Sequence, residues 1–199
     1  MDDIVSLQQK GLFTMLILAS GSPRRKELLK TIYDKEFKII PADIDEHAVK
    51  SDSVLTLAEN ISNAKAAAVS KLYPKDFVLA ADTVVIYKEE VFGKPANVEE
   101  ARKMLKALNE REHKVITGYH FYKNGVDLLS NSVSTTLVLH DLTDENITKY
   151  ILTGSPFDKA GGYGVQDAEI KYTIKSGPYD NVMGFPTEII KSNLKQLGI

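Results

Sequence analysis

A turn between an apolar segment and a helix carries the clearest chemical signal in the sequence. The apolar run Met15–Ala19 predicts a buried strand, and residues 20–25 follow it as Ser-Gly-Ser-Pro-Arg-Arg. A serine before a proline is typical of a helix start. Free N–H groups and the helix dipole favour an anion there, and hydroxyl and guanidinium groups add donors suited to phosphate. Phosphate binding is therefore favoured over an ordinary capped helix. The side chains concerned are those of Ser20, Ser22, Arg24 and Arg25.

A carboxylate interrupts the most strand-like segment of the chain, Phe77–Tyr87. Asp82 and Thr83 lie in the middle of this otherwise apolar stretch. An unpaired buried carboxylate costs roughly several kcal/mol, so Asp82 requires a metal, a cation or exposure at a strand end. The acidic loop Asp43–Glu46 offers partners for a magnesium-like ion. Two alternatives stay open, namely that Asp82 caps a neighbouring turn and that the acidic loop is only solvated.

Three lysines stand in positions that are individually unremarkable. Lys65 falls inside a helix predicted from Asp52 or Ser53 to Leu72, where a lysine usually extends its ammonium group into solvent. Lys94 lies between a glycine and a proline, as in a surface loop. Lys159 precedes the Gly-rich segment Ala160–Gly164, whose backbone can approach a ligand closely. Together with the carboxylates, these cations favour metal-assisted phosphate chemistry. The apolar stripe predicted for the helix that carries Lys65 is Ala58, Ile61, Ala68 and Leu72.

Composition excludes several other kinds of chemistry. Lys and Arg number 25 against 27 Asp and Glu, so the formal net charge is −2. General nucleic-acid binding needs a marked basic excess, and no nucleic-acid partner is expected. The absence of cysteine excludes disulfides, thiolate nucleophiles and thiolate metal sites. The four histidines lack zinc-ligand spacing, and a histidine-centred triad stays possible but lacks a Gly-x-Ser-x-Gly elbow. The histidines are His47, His113, His120 and His140.

Alternating strands and helices predict an α/β fold with a mixed sheet. The mixed character comes from a hairpin between strands at His113–Tyr122 and Asp127–His140, which Asn124-Gly125 would turn. A turn is expected at Glu89-Glu90. The remaining predicted elements are helices at 23–33, 98–108, 144–153 and 187–197, and strands at 37–40 and 170–175.

The chain of 199 residues has the length of one domain. Residues 1–14 are predicted to be an extension, and residues 15–199 the domain. The N-terminus carries Asp2 and Asp3 instead of a basic segment, and the apolar run after it is too short to cross a bilayer. We therefore expect a cytoplasmic protein with no membrane partner.

The motifs together resemble the Maf family of nucleoside triphosphate pyrophosphatases. The matches keep the order of the family pattern over about residues 15–195, and several motifs in order are far more specific than one. The matching segments are Leu16–Leu29, Asp45-Glu46, Ala64-Lys65-Ala66, Ala81–Val85, Gly93-Lys94-Pro95, His113–Gly118, Asp158–Gln166 and Asn181–Pro186.

The resemblance implies an elongated mixed sheet flanked by helices, with two lobes and a central cleft, similar to the inosine-triphosphatase architecture. It implies hydrolysis of a nucleoside triphosphate to the monophosphate and pyrophosphate with a divalent metal, Mg or Mn, and a homodimer is a further expectation. The catalytic set falls on Asp82, Glu46 and Lys94, with Asp82 and Glu46 near the metal. The substrate-binding set falls on Ser20, Ser22, Arg24, Arg25, Lys65, Thr83, Lys159 and Gln166.

Within the family, the sequence is most similar to a branch of enzymes that act on dTTP and UTP. Its selectivity positions are occupied here by Arg24, Thr83 and Gln166. Two positions depart from the family pattern. Ser155 stands where Glu is frequent, and Asp167 stands where Gly commonly follows the Gln.

The predicted function is hydrolysis of dTTP, UTP and modified pyrimidine triphosphates. Asp82 would act as general base or as metal ligand, and the sequence leaves both roles open. Two alternatives are a pyrophosphatase for 7-methyl-GTP or other purine triphosphates, and a non-catalytic nucleotide-binding regulator, for instance of cell division.

Overall fold

The strands of the protein form one mixed sheet. The computed structural model describes residues 14–199. Residues 1–13 of the predicted extension lie outside the described residues. The strands are β1 (Leu16–Leu18), β2 (Phe37–Ile39), β3 (Phe77–Tyr87), β4 (Glu90–Phe92), β5 (Glu112–Lys123), β6 (Val126–His140) and β7 (Lys171–Ser176). Their order is β2-β1-β3-β5-β6-β7, with β4 also paired to β3. β1 is parallel to β2 and β3, and the other pairs are antiparallel, which confirms the predicted mixed sheet.

Helices flank this sheet where the sequence carries capping residues. Side chains of Ser22, Asn97 and Thr143 accept the N-cap hydrogen bonds of three of them. The helices are α1 (Pro23–Ile32), α2 (Leu57–Leu72), α3 (Val98–Leu108), α4 (Asp144–Leu152), α5 (Tyr179–Val182) and α6 (Thr187–Gln196). In the described part of the chain, no helix is long and apolar enough to span a membrane.

Three local predictions need correction. A 3-10 turn at Val54–Thr56 separates the predicted cap Ser53 from α2, so the α-helix starts later than expected. The chain turns at Lys88-Glu89, and Glu90 already belongs to β4. Lys88 and Glu89 have φ angles of 49° and 64°, a left-handed turn made without the Asn-Gly signal, and β4 was therefore missed. The short helix α5 was also not predicted.

The first half of β3 is buried on both faces. Leu79 and Ala81 pack against α1 and α6, whereas Val78 and Ala80 pack against α2. Such a doubly covered strand reads as a continuous apolar run, as observed in the sequence. A separate hydrophobic core, built around α3, α4 and the second half of β3, lies at the other end of the sheet.

The sheet has a gap between these two cores. β1 pairs with β3 as far as Leu79, and β4 pairs with it only from Val85 onward. β5 occupies the opposite edge of β3 throughout this stretch. The edge of β3 between residues 79 and 85 is therefore open, and Asp82 and Thr83 border the gap from opposite faces. This gap is the central cleft predicted between two lobes.

Helix α2 approaches the sheet closely beside Asp82. Gly118 of β5 is the register partner of Asp82 and lies on the same face of the sheet. A Cβ atom at Gly118 would lie 2.4 Å from the backbone nitrogen of Glu59. Only glycine therefore lets the first turn of α2 lie at this distance from the sheet, which in turn fixes the position of residues farther along the helix.

Gly118→Ala is expected to lower the free energy of unfolding by about 1–3 kcal/mol, because the methyl group meets backbone atoms that cannot rotate away. Urea denaturation of both proteins measures this difference. Gly93→Ala is the matched control, since a Cβ atom there meets no described atom within 4 Å. Equal stability of Gly118→Ala and the control would contradict the close packing of α2.

Candidate active site

The gap opens into a cavity of about 900 Å³. Every residue that the sequence analysis placed in the site lines this cavity, although these residues come from six separate parts of the chain. They are Ser20, Ser22, Arg24, Arg25, Glu46, Lys65, Asp82, Thr83, Lys94, Lys159 and Gln166. Five of the lining side chains are Lys or Arg, and four are Asp or Glu. Besides Glu46 and Asp82, the acidic ones are Asp45 and Asp158. A site that only bound anions would have no need of so many carboxylates.

The turn after β1 is ordered by its own serines. Ser22 Oγ accepts from the backbone N–H of Arg25 at 3.4 Å, and Ser20 Oγ accepts from the N–H of Ser22 at 3.2 Å. These bonds fix the start of α1, whose dipole presents partial positive charge to the cavity. The predicted strand–turn–helix arrangement is thus present at the cavity wall.

Arg25 crosses the cleft floor and bonds only neutral oxygens. Its guanidinium donates to Thr83 Oγ1 at 2.9 Å, to the carbonyl oxygen of Gly184 at 2.9 Å and to Ser20 Oγ at 3.3 Å. Burial lowers the pKa of Arg25, and the charge of Asp82 opposes this effect. Because no carboxylate neutralises it by a direct ion pair among the described residues, its positive charge acts on the cavity.

Lys65 joins two carboxylates. Its Nζ lies 2.6 Å from Asp82 Oδ1 and 2.9 Å from Glu46 Oε1. Lys65 and Asp82 are both buried, with 8% of each residue exposed. Lys65 therefore does not extend into solvent as a lysine on a helix flank usually does. Its ammonium is the cation that the buried Asp82 requires. Leu72, predicted to be buried in the same stripe, is 74% exposed because the buried face of α2 passes through Val69 instead.

Glu46 stays ionised in this setting. Burial raises the pKa of its carboxyl group, but the hydrogen bond and charge of Lys65, with smaller effects of Lys94 and Arg25, outweigh burial and lower it. Glu46 lies at the start of a 3-10 turn that Asp45 caps, which brings the acidic loop over the cavity. Lys94 is exposed and forms no ion pair with the described residues, so its charge is available to a ligand.

Two further cations lie on the other side of the cavity and share one carboxylate. Arg24 Nη1 donates to Asp158 Oδ2 at 2.7 Å, and Lys159 Nζ donates to Asp158 Oδ1 at 2.7 Å. Asp158 thereby links α1 to the Gly-rich segment across the cavity mouth. This role of Asp158 was not predicted from the sequence, in which its one signal is its place directly before Lys159.

The carboxylate pair fits a hard divalent cation only in part. Asp82 and Glu46 supply the oxygen ligands that Mg²⁺ prefers, and Mg²⁺ is usually held by one or two carboxylates together with substrate phosphates. Within residues 14–199, no group of three His, Cys, Asp or Glu side chains could hold a metal by itself. The donor set therefore fits a metal that enters with a phosphorylated ligand.

One serine, one histidine and one aspartate lie together in the structure, as in a histidine-centred triad. Ser62, His120 and Asp127 lie together, with Ser62 Oγ 2.9 Å from His120 Nδ1. Ser62 is fully buried and donates its proton to the carbonyl oxygen of Glu59. A nucleophile needs access to its substrate, so this cluster is a structural one.

Comparison with known proteins places the chain among relatives of similar length. The model of the family described as "Maf-like protein" matches residues 15–197. A dTTP/UTP pyrophosphatase of Pyrococcus horikoshii is 42% identical over 177 residues, which are 88% of this chain and 93% of that protein. A dTTP/UTP pyrophosphatase of a Geobacillus species is 40% identical over 185 residues, covering 92% and 98% of the two chains.

Among solved structures, a HAM1 protein from Coxiella burnetii matches 62% of this chain and 71% of its own, with a TM-score of 0.44 and 20% identity. The family match spans nearly all of the described residues, and its motifs surround one cavity. The chain therefore belongs to the Maf-like protein family.

Proposed function

We propose that the protein hydrolyses nucleoside triphosphates, with dTTP and UTP as preferred substrates, to the monophosphate and pyrophosphate in the cytoplasm. The observation that carries this proposal is the pair of carboxylates, Asp82 and Glu46, that meet at Lys65 in a cavity with four other cations. Carboxylates and cations in one cleft match the needs of phosphate transfer to water, in which charge must be neutralised and a proton removed. The two relatives described above bear names of this activity.

The proposed reaction breaks one phosphoric anhydride bond. The oxygen of a water molecule attacks the α-phosphorus, and the bond from that phosphorus to the oxygen bridging to the β-phosphate breaks. Pyrophosphate leaves with the bridging oxygen, and the proton of the attacking water passes to a base. Asp82 is placed to be that base or to hold a metal, since its Oδ2 has no hydrogen bond with the described residues.

The cations of the cavity differ in whether a carboxylate already neutralises them. Arg25 and Lys94 have no carboxylate partner in the described part of the chain and are available to phosphate oxygens. Arg24 and Lys159 are paired with Asp158, so the phosphates would compete with an exposed carboxylate for them. We propose Asp82 and Glu46 as ligands of Mg or Mn, which would supply polarisation of the phosphate when bound.

Gln166 is the selectivity position best placed to meet the base. The hydroxyl group of Thr83 is already bonded to Arg25 and Thr117, and Arg24 is paired with Asp158. Gln166 is exposed, lines the cavity and has no hydrogen bond with the described residues. Its amide offers one donor group and one acceptor, which match the carbonyl and N3–H of uracil or thymine.

A panel of nucleoside triphosphates tests the proposal directly. Released pyrophosphate is measured for UTP, dTTP, GTP and 7-methyl-GTP, with Mg²⁺ or Mn²⁺ and with excess chelator. We expect turnover of UTP and dTTP to exceed that of the purine nucleotides and to stop with chelator. Faster turnover of the guanine nucleotides would assign the protein to purine chemistry, and binding without turnover under either metal would make it a nucleotide-binding regulator.

Asp82→Asn is expected to lower kcat for UTP by a factor of about 100 or more. The amide is nearly isosteric and can still accept from Lys65, but it cannot take up a proton and is a poor ligand for a hard cation. Steady-state kinetics measure the loss, and circular dichroism verifies the fold. Asp34→Asn, at an exposed carboxylate outside the cavity, is the matched control. An Asp82→Asn enzyme with most of its activity would reduce Asp82 to a structural role.

Gln166→Glu is expected to impair base selection more than hydrolysis. An ionised carboxylate can only accept hydrogen bonds, so it would face the base carbonyl without a donor. We expect kcat/KM to fall for UTP and dTTP, with a smaller fall or a gain for GTP, whose base carries N–H donors. If kcat/KM instead falls by the same factor for all nucleotides, Gln166 only supports the Gly-rich segment.

A further inference from the structure

A hydrogen-bonded network lies behind the cavity wall, next to Lys159. Its centre is Asp167, whose Oδ2 accepts from Tyr150 Oη at 2.6 Å and from Ser155 Oγ at 2.7 Å. Lys159 Nζ donates to Ser155 Oγ at 2.8 Å and to the carbonyl oxygen of Ser155 at 2.7 Å. Lys159 lines the cavity, whereas Tyr150, Ser155 and Asp167 do not. Any effect of this network on a ligand must therefore pass through Lys159 or through a neighbour of Asp167.

The serine hydroxyl sets the direction of this chain of hydrogen bonds. A serine has one proton to donate, and an ionised carboxylate can only accept. Ser155 therefore donates to Asp167 and uses a lone pair to accept from the Lys159 ammonium. The negative charge of Asp167, 3.8 Å from Lys159 Nζ, is thus connected to the ammonium directly and through one hydroxyl.

Of the two carboxylates near Lys159, Asp167 is the one that is held in place. The side chain of Asp158 is 58% exposed and also bonds Arg24, whereas that of Asp167 is 17% exposed and is fixed by two hydroxyl donors. A buried ammonium needs a lasting counter-charge. A phosphate that competed for Lys159 would therefore displace the exposed Asp158 more easily than the enclosed Asp167.

The network also meets Gln166. A Cβ atom at Gly164 would lie 2.4 Å from Gln166 Nε2, 2.6 Å from Lys159 Cε and 2.9 Å from Asp167 Oδ2. The side chains of Gln166, Lys159 and Asp167 thus meet over Gly164, which has no side chain. The amide proposed to meet the base and the side chain of Lys159 are therefore neighbours over Gly164.

We propose that Asp167 is a positioning residue that holds the Lys159 ammonium towards the phosphates, with Ser155 as the link between them. This inference rests on the proposed function for its substrate. It also predicts that the position of the Lys159 ammonium depends on the negative charge of Asp167. A carboxylate at position 155 is expected to replace that charge. Ser155 Oγ lies between the ammonium and the carboxylate, so a carboxylate at position 155 would reach the same ammonium.

A transfer of the charge from position 167 to position 155 tests the proposal. Asp167→Asn retains an acceptor for both hydroxyl groups and removes only the charge. We expect KM for UTP to rise about tenfold or more, with a smaller change in kcat. The double variant S155E/D167N is expected to recover most of the loss, and the matched neutral variant S155Q/D167N is not.

Two kinetic outcomes would overturn the proposal: an unchanged KM in Asp167→Asn, or equal recovery by S155Q/D167N and S155E/D167N. If Asp167→Asn fails to fold, Ser155→Ala replaces it, because it keeps Asp167 and removes the hydroxyl group that joins Asp167 to the Lys159 ammonium. KM for UTP is then expected to rise, and an unchanged KM would overturn the proposal.

An NMR measurement separates this proposal from the proposed function. In protein labelled with ¹⁵N-lysine, the hydrogen-bonded ammonium of Lys159 is expected to give a signal that is absent in Lys159→Arg. That signal should broaden in Asp167→Asn, because the ammonium keeps its direct acceptors but loses the fixed counter-charge that holds it there, and it should sharpen again in S155E/D167N. A signal that is equally sharp in Asp167→Asn and in the unchanged protein would overturn the positioning role even in an active enzyme. An enzyme without turnover but with the expected pattern would overturn only the substrate assignment.

Discussion

The ion pair between Asp82 and Lys65 is the constraint around which the rest of the site is arranged. A carboxylate in the middle of a sheet is tolerated only with a counter-charge. The sheet supplies this by bringing α2 onto Gly118, directly beside Asp82, so that a lysine two turns into the helix reaches the strand. A larger residue at position 118 would move the helix and separate the charges. The ion pair in the site therefore depends on the packing of α2 against the sheet.

The gap in the sheet explains why residues on opposite faces of β3 serve the same cavity. Alternate residues of a strand point to opposite faces, so Asp82 and Thr83 would be separated in a continuous sheet. Because β1 ends before the gap and β4 begins after it, both side chains border one opening. Arg25 of α1 approaches Thr83 from one face, and Lys65 of α2 approaches Asp82 from the other. The net charge of −2 for the whole chain thus coexists with a cavity rich in Lys and Arg.

Most elements could be predicted from the sequence, because capping residues, apolar runs and an Asn-Gly turn act locally. The residues of the cavity were expected from the resemblance to the Maf family. The pairing of charges could not be predicted. Lys65 looked like a solvent-reaching lysine because a helical pattern shows which face is apolar but not what lies opposite. Asp158 gave no sign of bridging to Arg24, which is 134 positions away. Such contacts depend on the arrangement of distant segments, and a single sequence records only the residue types.

Ser155 and Asp167 show the same limit in a sharper form. Taken one at a time, each is a departure from the family pattern, and a serine at position 155 offers the nearby Lys159 no negative charge. In the folded chain the two side chains are 2.7 Å apart, and the acidic group has its place at position 167 instead. The hydroxyl group left at position 155 is short enough to fit between ammonium and carboxylate. Two positions that look independent along the sequence therefore belong to one hydrogen-bonded network, in which the negative charge is attached at position 167.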